Sequence, residues 1–95
     1  MTLTGKQKRT LRALGHHLEP VVMVGQQGVT PGVVAAVEQA LFDHELIKVK
    51  LPEGREERDE VVARLAGDTA SEVAQTLGRT LLLYKRHPEK PKIAL

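Results

Sequence analysis

The run Val24-Gly25-Gln26-Gln27-Gly28-Val29-Thr30-Pro31 reads as a strand end, a four-residue loop bounded by glycines, and a capped helix start. Gly25 and Gly28 can adopt φ > 0, and without a Cβ they let a ligand approach the main chain. Thr30 is a good N-cap and Pro31 suits the first helical position. A glycine loop feeding a helix N-terminus offers N–H groups and the positive end of a dipole to an anion. The ligand expected here is a phosphate of an RNA backbone. A plain strand-to-helix turn would use the same residues, so the motif needs support from the rest of the chain.

On either side of this run the pattern is regular. Upstream, Val21-Val22-Met23-Val24 is a short strand, apolar on both faces as a central strand with cover on each side would be. Downstream, a helix from Pro31 to about His44 carries Val33, Val34, Val37, Ala40 and Leu41 at helical spacing. Leu46 to Leu51 then alternates, with Ile47, Val49 and Leu51 on one face and Lys48 and Lys50 on the other, which must meet water or a polyanion. Strand, helical crossover and strand make a βαβ unit with parallel strands. An opening helix runs from Thr4 to about His17, with Leu11, Leu14 and Leu18 as its apolar stripe and Lys8, Arg9 and Arg12 beside it. A third helix runs from about Arg55 to Ala66 or slightly beyond, burying Val61, Val62 and Leu65. Its early acids suit the helix dipole and are read as structural.

After Ser71, Gly78-Arg79 supports a type II′ hairpin loop between Val73–Leu77 and Thr80–Tyr84, with Val73 opposite Tyr84. The expected fold is a single α/β (α+β) domain of order αβαβαββ, its four-stranded mixed sheet carrying the helices. Residues 1–86 form the domain, and 87–95 are a flexible tail.

The 95 residues suit one domain. No cysteine is present, which excludes disulfides and thiolate metal sites. No apolar run approaches the ~20 residues of a membrane span, and no signal-peptide stretch opens the chain, so a soluble, cytoplasmic protein is expected. The net charge of +2 hides a division. Lys6, Lys8, Arg9 and Arg12 open the chain without an acid, and Arg79, Lys85, Arg86, Lys90 and Lys92 close it. Between them, residues 51–72 hold seven acids against three arginines. Basic ends that met in space would attract nucleic acid.

Recognisable catalytic signatures are missing: no nucleophile elbow, P-loop lysine-serine pair, HExxH or third glycine for a dinucleotide fingerprint. His16, His17, His44 and His87 are scattered, so no metal or cofactor is expected. With Phe42 and Tyr84 the only aromatics, there are too few rings for the stacking platforms of RRM and OB domains. RNA contact would rest on phosphates and 2′-hydroxyls. The GxxG loop is similar to that of KH domains, except that there it joins two helices and here a strand to a helix.

Six pieces of the chain together resemble a CRM domain (chloroplast RNA splicing and ribosome maturation) of the stand-alone bacterial YhbY type. They are Leu3-Thr4-Gly5-Lys6-Gln7, Leu11-Arg12-Ala13-Leu14, Pro20-Val21-Val22, Val24-Gly25-Gln26-Gln27-Gly28, Glu45-Leu46-Ile47-Lys48-Val49-Lys50, and Gly78-Arg79-Thr80 with Leu83-Tyr84-Lys85-Arg86. The resemblance covers the chain to about Arg86. It implies a non-catalytic RNA-binding protein associated with ribosomal RNA of large-subunit precursors, with a fold similar to the C-terminal domain of translation initiation factor three. Family members commonly carry a lysine where this chain has Gln26, so the loop should contribute less here. The residues expected at RNA are Gly25, Gln26, Gln27, Gly28, Lys6, Lys8, Arg9, Arg12, Lys48, Lys50, Arg79 and Arg86. Two other classes fit more loosely: a protein-interaction adaptor on the ribosome, and a phosphometabolite-binding regulatory domain.

Overall fold

In the computed structural model, which describes residues 2–95, reciprocal capping starts the first helix. Thr4 Oγ1 accepts from the Gln7 N–H at 3.1 Å, and Gln7 Oε1 accepts from the Thr4 N–H at 3.0 Å. Helix α1 (Gly5–Gly15) is followed by β1 (Pro20–Met23), α2 (Pro31–His44), β2 (Leu46–Lys50), α3 (Arg55–Thr69), β3 (Glu72–Leu77) and β4 (Thr80–Tyr84). The αβαβαββ order is the expected one. The sheet runs β1-β2-β4-β3, with β1 parallel to β2 and the other neighbours antiparallel.

Alternation along β2 divides the interior in two. Ile47, Val49 and Leu51 join Leu81 and Leu83 under Val37 and Leu41 of α2 and Val61 and Leu65 of α3. On the opposite face Leu46, Ala74, Leu82 and Tyr84 pack under Leu3 and Leu11. Helices α2 and α3 therefore cover one face and α1 the other.

Three details depart from expectation. Strand β1 is an edge strand, not a central one: Val24 is buried, while Val21 and Met23 are 55% and 70% exposed. The central places go to β2 and to β4, whose Leu81, Leu82, Leu83 and Tyr84 are all buried. In α1 only Leu11 of the apolar stripe enters the core; Leu14 is half exposed, and Leu18 lies beyond the helix. Gly15 takes the sheet-facing position instead, so close that an added Cβ would stand 2.7 Å from Leu82 Cδ1. In the hairpin, Gly78 has φ +56 and Arg79 does not share it, as a II′ turn requires. Glu72, however, sits opposite Tyr84 and Val73 opposite Leu83, because an irregularity between Val73 and Gln75 gives Ala74 no partner of its own. That bulge turns Ala74 into the α1-side core.

The segment after β4, expected to be free, is laid back on the domain. The Glu45 carboxylate accepts main-chain N–H bonds from His87 at 2.8 Å, from Ile93 at 2.9 Å and from Lys92.

Candidate nucleic-acid interface

The loop closes as a four-residue turn in which the Gly28 N–H donates to the Gly25 carbonyl at 3.1 Å. Only Gly28 has positive φ, at +73. Gly25 needs no such freedom; a Cβ there would meet nothing within 4 Å, so its smallness keeps the approach open. At the helix start, Thr30 Oγ1 accepts from Val33 N–H at 3.2 Å, and Pro31 has no N–H. The cap and the turn thus use part of the donor set that the motif promised. Gln26 and Gln27 remain exposed at the tip.

Two clefts flank this end of the sheet. One, of about 640 Å³, lies on the α3 side and is lined by the loop, Glu53, Glu57, Glu60, Arg64 and Arg79. Three carboxylates against two guanidiniums make it a poor anion site. Arg79 is held there by its Nε–H bond to the Leu51 carbonyl at 3.1 Å and an ion pair with Glu53 at 3.6 Å. The other cleft, of about 360 Å³, lies on the α1 side between Arg12, His16, Lys48, Gln75 and Thr80. Its only ionisable groups are basic, and Lys48 Nζ donates to the His16 carbonyl at 3.4 Å.

Lys50 links this second cleft to the loop. It pairs with Thr80 on one side and Met23 on the other, and its carbonyl accepts from Val24 N–H at 2.9 Å, one residue before Gly25. Arg12 and Lys48 thus line the α1-side cleft, and Lys50 stands between Thr80 of that cleft and the strand end that leads into the glycine turn, while the turn itself lines the α3-side cleft. Lys6, Lys8 and Arg9 stand exposed along α1, with Lys8 one turn before Arg12. Arg86 is not part of this group. It follows Tyr84, whose partner is Leu46 at the start of β2, and so lies at the opposite end.

Glu45, unnoticed in the sequence as a structural residue, is fully buried at the C-cap of α2 with φ 64. Burial pushes its carboxyl up, but the His87, Lys92 and Ile93 N–H groups and the nearby His87 imidazole outweigh this, leaving it below the ordinary 4.5. Burial, then the neighbouring Glu45 charge, push the Tyr84 hydroxyl above its usual range. Among the described residues no group of three or more His, Asp or Glu side chains could hold a metal ion. No described helix is long and apolar enough to cross a membrane.

A mixed four-stranded sheet with one basic helix on one face and two helices on the other defines a small α+β domain. This chain belongs to the CRS1/YhbY (CRM) domain family, whose sequence profile matches residues 3–85. It is 46% identical over 95 residues to a Haemophilus influenzae protein named an RNA-binding protein, covering 99% of this chain and 95% of that one. A Pseudomonas aeruginosa protein named a probable RNA-binding protein is 42% identical over 93 residues, covering 97% and 89%. The solution structure of a Staphylococcus aureus protein described as a candidate RNA binder superposes with a TM-score of 0.84 at 32% identity, covering 99% of both chains.

Proposed function

We propose that this chain is a non-catalytic, cytoplasmic RNA-binding protein that docks ribosomal RNA of large-subunit precursors by its backbone and assists their assembly. The observation carrying the reading is a run of bases leading toward the glycine turn: Arg12 and Lys48 line the α1-side cleft with Thr80, and Lys50 pairs with Thr80 on one side and with Met23, two residues before Gly25, on the other. The names of the relatives support RNA as the partner. Exposed Gln26 and Gln27 and the open space around Gly25 let a phosphate reach the turn, while the α1 bases neutralise its neighbours. With Tyr84 buried and Phe42 the one exposed ring, shape and not base identity is what is read.

Naked precursor rRNA should bind with an affinity that falls with salt at a log–log slope of about −3 to −6, as four to seven neutralised phosphates require. Gly28→Asp places a carboxylate in the turn, and aspartate tolerates the left-handed backbone better than most residues. RNA binding should drop sharply in a folded Gly28→Asp protein; unchanged binding would remove the turn from the interface.

The adaptor reading has one observation in its favour, the exposed Val21, Met23 and Leu14 along the β1 edge. It predicts only weak, sequence-blind retention of naked rRNA, so the affinity for naked precursor rRNA separates the two. A phosphometabolite would have to occupy the α3-side cleft against Glu53, Glu57 and Glu60, which speaks against it.

A further inference from the structure

Chain ends fray unless something ties them down. Here a buried carboxylate does so: three main-chain N–H groups of residues 87–93 converge on Glu45. Lys92 Nζ adds a bond to the Asp43 carbonyl at 2.7 Å, and the His87 ring lies 4.5 Å from that of Phe42. Ile93 packs against the α1-side core and lines a groove with Leu14 and Leu18. The tail is thereby fixed beside α1.

This anchoring determines where the tail's charges stand. The ammonium groups of Lys85 and Lys92 are engaged with the carbonyls of Thr69 and Asp43. Arg86 and Lys90 are exposed and form no ion pair among the described residues. They lie where β2 begins, whereas Lys50 and the glycine turn lie where it ends, so the two groups are separated by about 13 Å or more along the strand. Helix α1, with its four bases, crosses the face between them, its Leu11 packed with Leu46, Leu82 and Tyr84.

We propose that Arg86 and Lys90 form a second phosphate-docking patch, held in place by the Glu45 latch, so that RNA crosses the α1 face from the glycine turn to the tail. The inference rests on the RNA reading above and extends it. Two basic groups this far apart cannot share one phosphate. The ligand they fit is a polynucleotide, not a mononucleotide.

The test uses the full chain and a fluorescein-labelled RNA hairpin, comparing Arg86→Ala/Lys90→Ala with Arg12→Ala across a salt titration. Both sites are exposed, and thermal unfolding should match the parent. The double variant should weaken binding about three- to tenfold and make the log–log salt slope less negative by about one to two. Loss of affinity in Arg12→Ala with none in the tail variant overturns the second patch and leaves the RNA reading standing. Parent-like binding by both variants overturns the second patch and takes Arg12 out of the docking surface, and failure of the parent itself to bind the hairpin overturns the RNA reading.

Discussion

Glu45 holds a backbone conformation, φ 64 and ψ −42, that costs a residue with a Cβ on the order of 1–3 kcal/mol. Its carboxylate offsets that cost with three charge-assisted bonds to the tail. Because the folded carboxyl titrates below the ordinary 4.5, its stabilisation is complete above that pH and is lost as pH falls through the lower folded value. Glu45→Gln keeps the shape but not the charge, and should cost about 1–3 kcal/mol in urea unfolding at pH 7. At pH 3 the gap between variant and parent should narrow; an undiminished gap would mean that the ionised carboxylate is not what holds the tail. Caps and turns at this scale were legible because their chemistry is local: Thr4 with Gln7, Thr30 with Pro31, Gly78 in the hairpin. Glu45 was not, since its partners are main-chain N–H groups 42 to 48 residues away and leave no mark in the neighbouring residues.

At the scale of elements, periodicity located the helices and most strands, and the Gly78-Arg79 turn decided for a strand over residues 73–77, where the apolar spacing fits a helix as well, but neither said which residues would face the sheet. Leu14 fits an i, i+3 stripe with Leu11, yet Gly15 at i+4 lets α1 settle against Leu82, and that closer packing turns Leu14 outward. Glycine to alanine normally favours a helix by roughly 0.5–1 kcal/mol. Gly15→Ala should instead lower stability by about 1–3 kcal/mol, because its Cβ would lie 2.7 and 2.9 Å from the methyls of buried Leu82. In a Leu82→Val background the added cost should shrink; equal costs in the two backgrounds would show that this contact does not set the helix position. Strand β1 shows the same limit of pattern reading. Four consecutive apolar residues are compatible with a strand covered on both faces, but β4 has a similar run and takes a central place, leaving Val21 and Met23 exposed at the edge. Sheet order depends on which strands pair across the chain, and the composition of one strand does not carry that information.

Across the whole molecule the sheet separates charge. Helix α1 has four bases and no acid, and α3 on the other face has five acids and three arginines. The charge runs along the sequence anticipated this division once the fold was in hand, but not that the α3 acids would line the cleft beside the glycine turn. The net charge of +2 is too small to bring RNA to the surface by itself, so orientation must matter more than total charge. Lys8→Glu on α1 and Arg55→Glu on α3 make the comparison directly, since each is an exposed helix position and each changes the net charge by the same two units. If RNA docks on the α1 face, Lys8→Glu should weaken binding about tenfold or more and flatten the salt slope by about one, while Arg55→Glu stays within about twofold of the parent. Steering by net charge alone would weaken both alike. Equal losses in the two variants would therefore show that the separation of charge across the sheet has no part in recognition, and the docking face would have to be sought elsewhere.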